Sequence, residues 1–345
     1  MRILKNFLKK LYIKTDPEKY SLNYMGTFSF WRLLFLNIVS PGRTLNRIKY
    51  KQVFRNKNKT TNNFKKKLNL MDEENKISAE DKTKLSQAMS DLITQGGAVI
   101  PNYFSEQEID NFIKEKNSII ENMKNLRSEK AEYIKETLEL SDGVMKLWLD
   151  KKLTCLVSTF FGGTLYARSY PTLFYTMVPD ISKNDKNHNS KVSDSWHLDH
   201  SVLFVTHVLL NDLTENDTCM EFIPGSHKHF TAQTQYSNKT IENYGTKPIK
   251  CVGKKGTVYM HSGNVAHRLK TISGSDRLNI FFDFSPGPNI LLNCNEIYKC
   301  LRSGYDLNKL NEKDREIISG VFPRVLPKGY EVHKNTFFPT KFKGI

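Results

Sequence analysis

Seven of the nine histidines fall between His197 and His267. The first informative pair is His197 and Asp199. In a strand, residues i and i+2 face the same side, so an imidazole and a carboxylate can converge on one point. A chain with nine histidines contains such a pair by chance, so the weight falls on the residues downstream of it. PGSHK, Pro224 to Lys228, reads as a turn after an apolar strand. GTVYMHSGNVAHRL supplies His261 and His267. Arg277 opens the alternating run RLNIFFDF, ten residues beyond His267. Two histidines and one carboxylate leave three positions open on an octahedral non-haem Fe(II). A 2-oxo acid can chelate two of them and O₂ can take the third. A buried arginine can then hold the far carboxylate of that acid by a bidentate fork. The order His-x-Asp, long gap, His, about ten residues, Arg is more specific than any one piece of it.

The elements that must position these residues are short. LYARSYPTLFYTMV, SWHLDHS, LFVTHVLL, CMEFI, IKCV, TVYMH and RLNIFFDF are β-rich runs separated by polar loops. Strands in such a series predict a β-sandwich or jelly roll. Helices precede them. SAED caps a helix carrying Leu85, Met89, Leu92 and Ile93, and Gly96-Gly97 stops it. AVIPNYF reads as a strand. SEQE, Ser105 to Glu108, is a capping box for one helix with Ile109, Phe112, Ile113, Ile119, Ile120 and Met123 on one face. A further helix is expected over 146–160, ending at Gly162-Gly163. Asp180–Asp194 is a polar loop beside the first motif, and residues 296–345 return to mixed helix and loop.

WHLDH, then LNDLTENDTCMEFIPGSHK, then the His267 to Arg277 segment resemble the phytanoyl-CoA dioxygenase family. The resemblance begins near GGAVIPNYFSEQEIDNF and covers roughly residues 80–290. It implies a double-stranded β-helix (a cupin-like jelly roll) with flanking helices, an α+β fold. It implies iron held by His197, Asp199 and His267, with Arg277 on the 2-oxoglutarate carboxylate. The family reaction uses Fe(II), 2-oxoglutarate and O₂, releases succinate and CO₂, and hydroxylates an unactivated C–H bond. Asn216-Asp217 stands where the family often has Asn-Gly, and Asp tolerates the left-handed turn geometry. Arg268, a bulky cation, follows His267 where a small residue is expected, and either points outward or reaches an anionic substrate. An Ala or Gly at position 199 implies a halogenase in this family; Asp199 implies hydroxylation.

A second contact for 2-oxoglutarate is expected on the strand before the polar loop. Tyr175 and Thr176 are the candidates, with Thr206 behind them. Trp196, Tyr170 and Arg268 are candidates for lining the substrate pocket. His227 reads as a brace for its loop, and His261 as a support for the metal strand. His200 and His207 read as structural or as neighbours of the ligand strand, and His188, His229 and His333 as ordinary polar residues.

Composition narrows the classes. The chain of 345 residues is 39% hydrophobic and 11% aromatic, enough for a sizeable core. The longest apolar stretch, roughly residues 28–39, is interrupted by Arg32 and Asn37 and falls short of a membrane span. No secretory signal pattern is present, so the expected location is cytoplasmic. Five scattered cysteines, none in a Cys-x-x-Cys pair, argue against a disulfide framework or a zinc ribbon. Residues 1–70 hold 17 of the 52 Lys and Arg against two acids, while the remainder is nearly neutral. MRILKNFLKKLYIK places Ile3, Leu4, Phe7, Leu8, Leu11 and Tyr12 on one stripe with lysines mostly off it, the pattern of a helix lying on a membrane surface. Residues 28–36 offer a second shallow anchor, and 43–67 carry ten bases and no acid.

Three segments are therefore expected: a basic amphipathic arm over 1–75, a dioxygenase domain over 76–295, and a C-terminal extension over 296–345 packed on it. The substrate is expected to be a lipid, a lipid-linked sugar or another small anionic metabolite, with residues 1–70 facing an anionic membrane at its inner surface. Two other readings stay open. One is oxidative demethylation of nucleic acid, against which stands Asp283 in the place of that branch's second Arg. The other is a non-catalytic jelly-roll binding protein tethered to a membrane.

Overall fold

The computed structural model describes residues 57–322, apart from 75, 127–131, 164, 180–194, 200–202, 229–234 and 287–298. The expected membrane helix, the second anchor, the polar loop Asp180–Asp194, and His188, His200, His229 and His333 lie outside the described residues.

The described helices are α1 (Lys57–Glu73), α2 (Ala79–Gln95), α3 (Glu106–Glu115), α4 (Asn117–Asn125), α5 (Asp142–Trp148), α6 (Lys151–Phe160), α7 (Asn238–Tyr244) and α8 (Glu312–Ile318). The strands are β1 (Gly97–Ile100), β2 (Glu132–Thr137), β3 (Tyr166–Ala167), β4 (Thr172–Met177), β5 (Trp196–His197), β6 (Phe204–Leu209), β7 (Cys219–Phe222), β8 (Gln235–Tyr236), β9 (Ile249–Cys251), β10 (Val258–Ser262), β11 (His267–Lys270) and β12 (Asp276–Ser285). Among the described residues they form two antiparallel sheets. The larger runs β1-β10-β6-β12-β4-β2, with β3 on β12, and the smaller runs β8-β5-β11-β7-β9. Both mix strands distant in sequence, as a double-stranded β-helix requires.

The helices cover the outer face of the larger sheet. Strand alternation sends Leu278, Ile280, Phe282 and Phe284 of β12 into that helical layer, with Leu173 and Tyr175 of β4 and Val258 and Met260 of β10. The opposite parity of the same strands faces the smaller sheet and builds the site.

Local signals act as the sequence dictates. Ser78 accepts from the Asp81 N–H and starts α2. Ser105 and Glu108 form the reciprocal capping box of α3. Gly96 ends α2 at φ 87°, a left-handed position, and the ring of buried His227 fills the space a Cβ there would need. Two expected helices are each divided. The run from Ser105 to Met123 breaks at Lys116, which lies outside helical geometry. The run over 146–160 breaks because Asp150 caps a new helix, accepting from the Lys152 and Leu153 N–H groups.

Helix α1 belongs to the stretch whose charge marks it as arm. Nevertheless it packs on the body, with Phe64 and Leu68 almost fully buried and Lys67 donating to Thr159 at 3.0 Å. Each of those apolar side chains contributes roughly 1.5–3 kcal/mol by burial. At the other end Ile317, Ile318, Val321 and Phe322 join the same core. Four of the five cysteines are described, and all are buried. Among the described residues no helix is long and apolar enough to cross a membrane.

Candidate active site

A cavity of about 380 Å³ opens between the sheets. Ligand pockets run from roughly 300 to 1,000 Å³, so this one suits a small molecule or the head of a larger one. β5 and the residue pair after it contribute His197 and Asp199, β11 contributes His267, and β12 contributes Arg277, Phe281 and Asp283.

His197 and His267 are direct cross-strand partners, with ring centroids 4.3 Å apart. One ligand atom from each of His197, Asp199 and His267 lies within 4.8 Å of the others. His267 Nε2 is 3.6 Å from Asp199 Oδ1. The Nδ1 of His197 meets the Ser195 carbonyl at 2.9 Å, and the Nδ1 of His267 meets the Val265 carbonyl at 2.9 Å. A carbonyl only accepts, so each Nδ1 carries a proton, and in the neutral ring it is Nε2 that keeps the lone pair. That is the tautomer a metal ligand needs, fixed by backbone behind it. Burial also pushes the His267 pKa down, although Asp199 opposes this, and favours the neutral ligand form. The set of two neutral imidazoles and one carboxylate fits a divalent iron with open positions.

Arg277 is 1% exposed, yet no acid partners it among the described residues. It donates from Nη2 to the Tyr259 hydroxyl, and its Nε has no partner. A buried guanidinium without an anion is costly unless one arrives. Thr176 sits directly across the ladder from Arg277, fully buried, with its Oγ1 unpartnered. Arg277 and Thr176 thus fit a carboxylate such as that of 2-oxoglutarate. Behind them the Tyr259 ring stacks on His207 at 4.4 Å, and Asn279 Nδ2 donates to His207 Nδ1 at 2.7 Å. Burial and then the Arg277 charge hold the His207 pKa well below its usual value. His261 is likewise kept neutral, by burial first and His267 second, and its ring lies 4.2 Å from His267. His207 and His261 therefore add no cation to the pocket.

Several expected site residues face elsewhere. Trp196 precedes His197, so alternation turns it to the outer face of the smaller sheet, where it packs with Leu198, Ile223, Tyr236 and Ala266. Arg268 follows His267 and is turned the same way. Its Nε and Nη2 donate to Glu221 at 3.0 and 2.9 Å, and its guanidinium lies 4.4 Å over the Trp196 ring. It is engaged in a salt bridge with Glu221 on the outer face of the smaller sheet. Tyr170 sits in the helical layer, donating to the Val321 carbonyl at 3.3 Å and meeting the Phe322 ring edge-on. Tyr175 has the parity opposite to Thr176, and its hydroxyl donates to Asp276 at 2.8 Å. Thr206 pairs with Met260 and Phe282, so it too faces the helices. Strand parity accounts for Trp196, Arg268, Tyr175 and Thr206, while Tyr170 lies between β3 and β4 and is held by Val321 and Phe322. His227 is the brace expected of it, its Nε2 3.3 Å from the Ile93 carbonyl.

The lining residues absent from the sequence expectation include Tyr133, Phe174 and Asp283. Phe174 stacks on Phe281 at 4.7 Å and Tyr133 leans on Phe174 at 4.8 Å, forming one aromatic wall. Burial first, then the charge of Asp199, pushes the Asp283 carboxyl up to about 8, with Arg168 opposing. Its place six residues beyond Arg277, on the same parity, is the signal that finds it.

Fold and site together define an oxygenase of the type that uses iron and 2-oxoglutarate. The sequence matches the phytanoyl-CoA dioxygenase (PhyH) family over residues 92–277, and the chain belongs to it. It is accordingly an Fe(II)- and 2-oxoglutarate-dependent oxygenase with those cofactors. Similar solved structures include EctD from S. alaskensis with 2-oxoglutarate and 5-hydroxyectoine, at 20% identity over 61% of this chain and 76% of that one, with a TM-score of 0.45. AviO1 from Streptomyces viridochromogenes Tue57 is 16% identical over 59% of this chain and 97% of its own, TM-score 0.44. The epimerase SnoN in complex with Fe3+, alpha ketoglutarate and nogalamycin RO is 14% identical over 59% and 84%, TM-score 0.42. No curated protein matches the chain.

Proposed function

We propose that the protein hydroxylates a C–H bond of a lipid, a lipid-linked sugar or another small anionic metabolite, working beside an anionic membrane surface met by its basic N-terminal residues. His197, Asp199 and His267 hold the iron; Arg277, assisted by Thr176, holds the far carboxylate of 2-oxoglutarate. The observation that carries this is one cavity containing both a converging His-Asp-His set and a buried arginine with no acid of its own among the described residues.

Bound there, the iron supplies O₂ activation coupled to decarboxylation of 2-oxoglutarate to succinate. The chain does the rest. Ser195 and Val265 fix the imidazole tautomers. Tyr259 orients Arg277, so that the cosubstrate lies in one pose. Leu203, Val205, Met220, Leu269 and Phe281 give the cavity apolar walls that exclude bulk water. Asp199 keeps the carboxylate that a halogenase lacks, which supports hydroxylation as the outcome. The charge of residues 1–70 supports the membrane surface.

The test needs no substrate. Fe(II) and 2-oxoglutarate are added without oxygen and the visible spectrum is recorded. A charge-transfer band is expected, absent in His197→Ala and Arg277→Ala. No band from folded wild-type protein overturns the assignment. For the surface, full-length protein and a variant lacking residues 1–56 are sedimented with phosphatidylglycerol vesicles. The cut falls before α1 because Phe64 and Leu68 belong to the core. Equal partition of the two proteins refutes the membrane role.

A further inference from the structure

Asp199 and Asp283 are the two carboxylates among the described residues lining the cavity. Asp199 belongs to the metal set. Asp283 has no place in binding iron or 2-oxoglutarate. It lies on β12 with the parity of Arg277, six positions further on, which at about 3.4 Å per residue is roughly 20 Å along the strand. The cosubstrate carboxylate and Asp283 therefore occupy opposite ends of the cavity. The backbone around Asp283 is locked: its N–H donates to Ser169 Oγ at 2.8 Å, and its carbonyl accepts from the Arg168 N–H at 2.8 Å. Its Oδ1 is buried and has no hydrogen-bond partner among the described residues. Leu203, Val205 and Phe281, its neighbours on the cavity wall, offer none. A buried acceptor left without a donor is destabilising, and such a group in a cavity calls for a donor carried in by a ligand.

From this placement we infer that Asp283 is a specificity-determining residue, accepting a hydrogen bond from a hydroxyl group of the substrate. The inference rests on the proposed hydroxylase reading and narrows its substrate classes to those with an alcohol near the reacting carbon, as in a sugar or polyol head. The apolar wall around Asp283 suits the carbon skeleton of such a head, while the carboxyl takes its hydroxyl. Asp283 lines the same cavity as His197, Asp199 and His267, so the hydroxyl is held in the chamber of the metal set.

Three probes sharing an eight-carbon tail separate the possibilities: octyl β-D-glucoside, octylammonium and octyl phosphate, each below its micelle concentration. Each is titrated into the anaerobic enzyme carrying Fe(II) and 2-oxoglutarate, and the shift of the visible band gives binding. Succinate formed per O₂ consumed is the second readout. The glucoside is expected to bind best. Asp283→Leu should weaken it at least tenfold, while Asp283→Asn, which keeps an acceptor, should hold it within a few-fold. The band before probe addition shows that each variant is folded and loaded. If it fails to form in the wild type, the hydroxylase reading has failed, and this inference with it. If the band forms but no probe binds, or if Asp283→Leu binds the glucoside unchanged, the inference alone is overturned. Preference for octylammonium, lost in both variants, overturns it in favour of a cationic substrate.

Discussion

Replacing Arg277 by Met should move cofactor affinity and protein stability in opposite directions. In the wild type the guanidinium is 1% exposed, has no acid partner among the described residues and leaves Nε unsatisfied. Two charge-assisted hydrogen bonds to a carboxylate contribute about 1.5–3 kcal/mol each. Losing both weakens 2-oxoglutarate binding by about 3–6 kcal/mol, or at least about a hundredfold. Without 2-oxoglutarate the balance reverses. Desolvation of an unpaired buried ion costs several kcal/mol, whereas the Tyr259 hydroxyl deprived of its donor loses about 1–3 kcal/mol. The variant should therefore be at least as stable as the wild type. The assay is thermal unfolding with Fe(II), without oxygen, at a 2-oxoglutarate concentration one hundred times the wild-type Kd. Linkage predicts about 2.7 kcal/mol of added stability for the wild type and about 0.4 kcal/mol for a variant bound a hundredfold more weakly. At roughly 1.5 °C per kcal/mol for a chain of 345 residues, the cosubstrate should raise the Tm of the wild type by roughly 4 °C and that of the variant by less than about 1 °C. A variant with the full wild-type rise, or one destabilised before 2-oxoglutarate is added, refutes the reasoning that Arg277 is an unpaired cation waiting for this carboxylate.

Asp199→Ala removes one of the three proposed protein ligands and should weaken Mn(II) binding, followed by electron paramagnetic resonance, by more than the roughly 10- to 100-fold seen for residues that merely support a ligand. Wild-type affinity in that variant would remove Asp199 from the metal set. Asp150→Ala strips the cap of α6 and the 2.6 Å partner of the Tyr103 hydroxyl; a cap of about 1 kcal/mol and a lost buried hydrogen bond of about 1–3 kcal/mol predict about 2–4 kcal/mol of destabilisation in urea. A loss under about 1 kcal/mol contradicts both roles. For Glu108, burial raises the carboxyl pKa, but the Lys146 hydrogen bond at 2.7 Å and the Ser105 contacts outweigh it and set it at about 2. A depressed folded-state pKa stabilises above the unfolded value of about 4.5 and ceases to do so as pH falls toward 2. The stability gap between wild type and Glu108→Gln should therefore close across that window; a constant gap would show that the carboxylate charge contributes nothing.

What the sequence conveyed and what it withheld divide along one physical line. His197 and Asp199 were legible because i and i+2 share a face whatever the strand pairs with. The capping box at Ser105 and the stop at Gly96 were legible because they are satisfied within a few residues. Most of the misplaced residues depend on which face of a strand points inward, and adjacent residues always answer oppositely. Trp196 and Arg268 each sit one position from a proposed ligand, so the parity that turns His197 and His267 inward turns them both outward, where they meet each other. Tyr175 and Thr176 could not be separated until β4 was known to pair with β12 in a register that sets Thr176 across from Arg277. Tyr170 was misread because its partners, Val321 and Phe322, lie about 150 residues away. Helix α1 misled differently. Its lysines dominate a charge count, yet two apolar residues four apart, Phe64 and Leu68, fix it to the core. Charge describes the solvated face of a helix, and burial is decided by the other one. Asp283 combines both lessons. It was weighed only as the absence of a second arginine, although counting by twos from Arg277 already placed a carboxyl inside the cavity.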